Sequence, residues 1–299
     1  MAETSYAKCG DLSLAYQVFG DGPVDLIYVA PTMASHVELC WTVPEFKAFF
    51  ERLATFCRVV VFDQAGFGLS DPIPKVRTRD DRAAEIEAVM DAVGFGKAAI
   101  FGIGQGGLTS MVFAATQPER TRALILHSMF TFAPTVTGWD AVECDPAKLR
   151  ARLVPELDEK YTPSTKQLAR LQEFGRAVRS AWGSGPAFRV ALPSFGSIRQ
   201  LAMLERMFAS PGMARASLEA LFRIDLRPIL PTISAPTLVM HAHDDPITPV
   251  QLGRYLADHI PGRRRLRRRR RASSTKTTAS RSSESSAPTP DFAQYLCSV

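Results

Sequence analysis

KAAIFGIGQGGLTSMVFAAT, residues 97–116, reads as an apolar strand (97–103), a glycine-rich turn through Gly102, Gly104, Gly106 and Gly107, and a helix. Strand, turn and helix in that order frame two different chemistries. One is the dinucleotide fingerprint G-x-G-x-x-G, which Gly102, Gly104 and Gly107 match letter for letter. The other is a nucleophile elbow, G-x-S-x-G, in which a strained turn lifts a side chain above the sheet. The fingerprint needs a following strand that ends in an acid to hold a ribose hydroxyl. Here the next strand, RALILHS (122–128), ends in Leu126-His127-Ser128 and carries no carboxylate. The turn also comes after at least two earlier strand–helix units instead of opening the fold. The elbow frame therefore takes precedence.

Working outward, the same rhythm repeats. VDLIYVA (24–30), RVVVFD (58–63) and PTLVMHA (236–242) are nearly continuous apolar runs, as strands buried on both sheet faces should be. Ile86, Val89, Met90 and Val93 recur at helical spacing, and Thr78 with Asp81 three residues on predicts the cap of that helix. Leu252, Tyr255, Leu256 and His259 mark another helix. Residues 6–20 supply an earlier strand pair, with Gly20-Asp21-Gly22 as a turn. Alternating strands and helices predict an α/β fold on a mostly parallel sheet. Between 133 and 230 the rhythm breaks into a helical stretch rich in Phe and Met, among them Phe174, Phe188, Phe195, Met203, Met207, Phe208, Met213 and Phe222. These either pack the stretch onto the body or line a ligand pocket.

Two further loops follow strands: DQAGFGLSDP (63–72) and HAHDDPITP (241–249). With Ser35-His36-Val-Glu-Leu, AVMDAVGFGKAAIFG (88–102), FAATQPER (113–120) and LGRYLADHIPG (252–262), they make the chain resemble the α/β-hydrolase family over about residues 8–262. Within that family it looks like the hydrolase-like domains found beside adenylate cyclase domains in actinobacteria. The resemblance implies an α/β-hydrolase sheet in 1–132 and 231–262, a helical lid in 133–230, and descent from ester-type hydrolases. It puts the nucleophile position on Gly104, the acid on Asp245 (with Asp244 a lesser substitute), and the oxyanion pocket on Thr32, His36 and Gln105. The triad histidine belongs at about 270–275, where there is none, and the last histidine in the sequence is His259. A triad needs a hydroxyl or thiol, an imidazole to take its proton and an acid to orient the imidazole. Only the acid is present, so hydrolysis should be impaired and the protein should act as a ligand-binding or regulatory pseudo-hydrolase. The alternative is an active esterase with an unorthodox nucleophile or base, drawn from Ser70, Ser110, Ser128, Cys40, Cys57, His127 or His243. The implied ligand is small, and apolar or ester-like, with no cofactor and no metal.

Composition bounds the rest. At 46% apolar and 22% charged residues in 299, the chain reads as a globular protein of one large domain or two small ones, with length enough to bury a core. No apolar run approaches the ~20 residues of a membrane span, and MAETSYAKCGDLSLAY has no secretory signal pattern. The five scattered cysteines read as reduced thiols, and the expected location is the cytoplasm. The net charge of +6 is local: residues 263–299 hold ten bases and two acids, whereas the remainder is slightly acidic. Arg263–Arg271 contains eight arginines, and no Leu, Ile, Val, Met or aromatic residue lies between Arg267 and Asp291, a composition that predicts disorder. The resemblance stops at Gly262, so the closing strand and helix are expected to be missing. Such a tail is what GC-rich coding sequence yields when read out of frame. A genuine basic arm would instead bind nucleic acid by releasing phosphate counterions.

Overall fold

A computed structural model describes residues 2–129 and 139–261, together with the backbone of 264–265. The chain opens with a hairpin, β1 (Ser5–Cys9) and β2 (Leu12–Phe19), followed by β3 (Val24–Val29), a 3₁₀ turn at Thr32–Ala34, and the helices α1 (Leu39–Thr42) and α2 (Pro44–Ala54). Then come β4 (Cys57–Phe62), α3 (Arg79–Ala92), β5 (Ala98–Ile103), α4 (Gln105–Thr116) and β6 (Thr121–His127). A helical insertion follows: α5 (Asp140–Glu143), α6 (Pro146–Leu157), α7 (Thr165–Ala181), α8 (Pro186–Ala191), α9 (Ile198–Phe208) and α10 (Pro211–Leu221). The chain then returns to the sheet through β7 (Thr237–Met240), α11 (Val250–His259) and a two-residue β8 (Arg264–Arg265).

The strands lie in the order β1-β2-β4-β3-β5-β6-β7-β8, parallel from β4 to β8, with β1 and β2 antiparallel at one edge. Alternate residues explain the unbroken apolar runs. Leu26, Tyr28, Val59, Val61, Ala99 and Phe101 join Phe49 and Phe50 of α2 in one core. Ile27, Val29, Val60, Phe62, Ala98 and Ile100 join Ile86 and Met90 of α3 and Leu108 of α4 in the other. The central strands β3, β4 and β5 are thus covered on both faces, so their runs are apolar on both. After β3 the chain pairs first with β4 on one side and later with β5 on the other. The loops leaving the carboxyl ends of β3 and β5 therefore diverge, and that switch point is where an open α/β sheet forms its crevice.

Local chemistry sets the remaining boundaries. Thr78 and Asp81 form the predicted capping box of α3. The hairpin turns at Gly10, with φ 62, and Gly20-Asp21-Gly22 turns the chain from β2 into β3. The expectation that residues past Gly262 form no strand also needs correction, because Arg264 and Arg265 pair with Leu238 and Val239. A ladder is made by main-chain donors and acceptors, so arginine side chains do not forbid it, and the edge of β7 is covered over those two residues. The other expectations for 263–299 lie outside the described residues. In the insertion, Phe174, Phe188, Phe208 and Phe222 are buried, whereas Met203 and Met207 are exposed on α9. The buried Glu205 carboxylate accepts the N–H groups of Gly183, Gly185 and Phe188 at 2.7, 2.8 and 3.0 Å, which fixes the start of α8.

Candidate active site

The elbow is formed as the spacing requires. Gly104 sits between β5 and α4 with φ 50 and ψ −123, a conformation that a side chain adopts only under strain. A Cβ built there meets nothing nearer than Pro31 Cγ at 3.5 Å, so the space for a nucleophile's side chain is open. The turn is pressed against β3: a Cβ on Gly106 would lie 2.2 Å from the Val29 carbonyl oxygen, so only glycine fits there. Gly104 N–H donates to the His127 carbonyl at 3.1 Å, which ties the elbow to the end of β6.

Thr32, from the loop after β3, and Gln105, the first residue of α4, meet across the switch point. The Thr32 hydroxyl donates to Gln105 Oε1. With that proton committed, Thr32 Oγ1 accepts from Ser217 Oγ of α10 at 2.8 Å. All three side chains are buried, and Gln105 Nε2 has no hydrogen-bond partner. The sequence singled out Thr32 and Gln105 but missed Ser217. Nothing in its local pattern sets it apart from the other small residues of an amphipathic helix.

Asp245 lies in the loop after β7. Its Oδ1 accepts Ile247 N–H at 2.9 Å and Thr248 N–H at 2.7 Å, and its Oδ2 is 3.9 Å from His241 Nε2. Two histidines share this corner. His241 Nε2 pairs with the Thr248 carbonyl at 2.7 Å, and burial holds the ring below the ordinary imidazole range. His127, at the end of β6, is pushed down to about 4 by burial, with the Asp245 charge opposing that shift. Both imidazoles are thus neutral near pH 7. His243 and Asp244 are exposed.

His36 sits with a different carboxylate. It lines a cavity of about 30 Å³ with Ser35, Asp63, Tyr28 and Phe208. Asp63 there accepts Ser35 Oγ at 2.8 Å, Leu69 N–H at 2.9 Å and Val37 N–H at 3.2 Å. Burial pushes its carboxyl above the ordinary value. The alternative nucleophiles are mostly occupied. Ser70 Oγ donates to the Asp63 carbonyl and accepts Ala15 N–H, Ser110 Oγ donates to Gly106 O, and burial raises the Cys57 thiol. Ser128 differs: its φ is 53 and its buried hydroxyl has no partner. Among the described residues there is no group of His, Cys, Asp and Glu placed to hold a metal ion. No described helix is long and apolar enough to cross a membrane.

Residues 41–270 match the family model of the alpha/beta hydrolase fold. The chain belongs to the α/β-hydrolase family. It is 34% identical over 120 residues to the proline iminopeptidase of Neisseria gonorrhoeae, an alignment spanning 40% of this chain and only 37% of that relative. It is 26% identical over 251 residues to 3-oxoadipate enol-lactonase 2 of Acinetobacter baylyi, covering 84% of this chain and 82% of the lactonase. A solved structure of the meta-cleavage product hydrolase from Pseudomonas fluorescens, a serine-to-alanine variant complexed with acetates, superposes with a TM-score of 0.62. That match is at 19% identity and covers 89% of this chain and 88% of that one. The family match runs to residue 270, beyond the Gly262 limit read from the sequence segments.

Proposed function

We propose that this α/β-hydrolase family member descends from ester hydrolases and binds acyl compounds beneath its helical insertion, which acts as a lid, without turning them over. The observation that carries this is Gly104: the elbow keeps the backbone shape of a nucleophile's turn and offers only a hydrogen. Loss of nucleophile and base leaves what the oxyanion pocket and binding provide, several powers of ten below an intact triad. His241 does not replace the missing base, because its Nε2–H is given to the Thr248 carbonyl and its Nδ1 is packed against Gly253 of α11. The acetate-bound serine-to-alanine hydrolase supports the reading, since a related fold without its serine still holds small acids. The further likeness to cyclase-associated domains rests on the sequence segments alone, and suits a binding role.

The test is hydrolysis of p-nitrophenyl acetate and butyrate by the full chain. Turnover at the uncatalysed rate is expected, and Gly104→Ser should not raise it. Turnover clearly above background, and lost in Asp245→Ala, would sink the proposal. One observation favours the second reading, an active esterase. Ser128 carries an unpartnered hydroxyl on a strained residue directly after His127. In that case Ser128→Ala, and not a change at Gly104, would abolish the activity. Against it, the hydroxyl is shut off from solvent.

A further inference from the structure

α9 buries one side and shows the other to solvent. Leu201, Leu204, Glu205 and Phe208 are buried. At 3.6 residues per turn, Arg199, Met203, Arg206 and Met207 fall on the opposite side, and all four are exposed. The outward face of a surface helix should be polar. Here Met203 and Met207 are 44% and 40% exposed, and Ile198, which opens the helix, is 49% exposed. Three of the five large apolar side chains exposed among the described residues therefore sit on one 11-residue helix. One such residue needs no explanation, but a cluster marks a contact surface. Charge adds an independent observation. From Pro186 to Leu218 the sequence holds four arginines, Arg189, Arg199, Arg206 and Arg215, and one acid, Glu205. Glu205 is buried and engaged by three backbone N–H groups. Arg189 and Arg206 donate to backbone carbonyls, and none of the four arginines meets a carboxylate among the described residues. Elsewhere on the insertion arginines are paired: Arg179 with Glu143, Arg223 with Glu219 and Arg227 with Asp225. The outer face of α9 is thus apolar and cationic at once, with no exposed acid.

We infer that this face docks on an anionic phospholipid surface, with Met203 and Met207 entering the acyl layer and Arg199 and Arg206 meeting lipid phosphates. The match is one of charge and of shape. A guanidinium gives a phosphate two parallel hydrogen bonds, and an unbranched methionine fills a fluid layer without a shaped partner. Two other occupants fit less well. A second copy meeting this face about a two-fold axis would set the arginines against the same cationic surface. A specific protein partner needs about 800 Å² on each side, and an 11-residue helix about 16 Å long offers only a narrow strip. With so few apolar side chains to insert, docking is reversible and depends on the charge of the lipid. The inference concerns the outer side of the insertion, so it stands whether or not the elbow binds acyl compounds.

The test is flotation of the full chain with two kinds of vesicle, phosphatidylcholine alone and phosphatidylcholine with about 30% phosphatidylglycerol. Residues 263–271 hold eight arginines that would also meet anionic lipid, so the deciding variant changes no charge: Met203→Ser combined with Met207→Ser. The chain should float with the mixed vesicles and not with phosphatidylcholine alone, and raising the salt from about 0.1 M to about 0.5 M should weaken binding at least fivefold. The methionine pair variant should bind at least about tenfold more weakly, the loss expected for two partly inserted side chains. Arg199→Gln should weaken binding about fivefold, the share of one basic residue at such a surface. Tyr6→Ser, at an exposed position on β1, should bind as the wild type does. All these positions are exposed, so circular dichroism spectra should be unchanged. No flotation with the mixed vesicles, equal flotation with phosphatidylcholine alone, or full binding in the methionine pair variant would each overturn the inference, the last by assigning the lipid affinity to the arginine run. A dimer in sedimentation velocity that needs Met203 and Met207, without vesicle binding, would overturn it in favour of a second copy.

Discussion

Two buried polar junctions lie at the carboxyl edge of this sheet, and they differ in how completely their hydrogen bonds are used. At the Asp63 junction, after β4, the carboxylate accepts one hydroxyl and two backbone N–H groups. Ser70 closes the same loop by bonding the Asp63 carbonyl and Ala15 N–H. The backbone packs so closely that a Cβ on Gly68 would lie 2.1 Å from Asp63 Oδ2. At the elbow, after β5, Gln105 is almost as buried, yet half its carboxamide is idle and the neighbouring residue has no side chain. A saturated junction is shaped for stability, because any ligand would have to break bonds to enter. An unsaturated one is shaped to receive something.

The largest expected effect breaks the saturated junction. Asp63→Ala leaves the Ser35 hydroxyl and the Leu69 and Val37 amides without their acceptor, beside a cavity of about 30 Å³ with room for only one or two waters. At about 1–3 kcal/mol for each buried group left unpaired, and with partial relaxation, the loss should be about 4 kcal/mol. Urea unfolding followed by circular dichroism measures it. A loss under about 1 kcal/mol would mean that these donors find other partners.

The two junctions were not equally legible in the sequence. The strand runs, the capping box at Thr78 and the elbow at Gly104 follow from local spacing, because periodicity and backbone conformation are local properties. The place of Asp245 came with the resemblance, and its loop does hold it at the end of β7. Asp63 stood in a quoted segment with no role assigned, because its three donors come from two loops brought together only by the pairing of β3 with β4. Ser217 and His241 were likewise invisible. Ser217 acts from a helix more than 180 residues beyond Thr32, and His241 gains its place by sharing a corner with His127 of the neighbouring strand. His36, which the resemblance places at the oxyanion pocket, lines the cavity that Asp63 shares. Sequence distance along a loop does not say which way the side chain turns.

A second prediction concerns the corner that joins the elbow to the acid. His127 has its pKa lowered from 6.5 to about 4 in the folded chain by burial, and the charges it feels are Asp245 and the His241 ring. A lowered imidazole pKa means that the fold favours the neutral ring. This contribution to stability is full above about pH 6.5, falls as the pH drops toward 4, and does not change further below that. At about 1.4 kcal/mol per pH unit the ceiling is ~3 kcal/mol, and burial lowers His241 in the same direction. Urea midpoints at pH 7 and pH 5 should therefore lie further apart in the wild type than in His127→Asn. Parallel pH dependence in the two proteins would show that another group carries the acid sensitivity.

The smallest expected effect is the sharpest test of the contrast. Gln105→Leu removes a side chain as buried as Asp63, and by burial alone the two should be alike. The bookkeeping of donors and acceptors separates them. In Asp63→Ala, three protein groups lose their partner. In Gln105→Leu, the idle N–H donors vanish, and only the Thr32 hydroxyl must be reoriented, with Ser217 still within reach at 2.8 Å. Leucine is close to glutamine in volume and adds apolar contact at the first turn of α4, which offsets the lost bond to Thr32. The change in unfolding free energy should stay within about 1 kcal/mol, the range of a single neutral hydrogen bond. The same urea measurement decides it. A loss approaching that of Asp63→Ala would mean that Gln105 is held as tightly as the carboxylate, and the elbow would then be a second structural junction instead of a receptor.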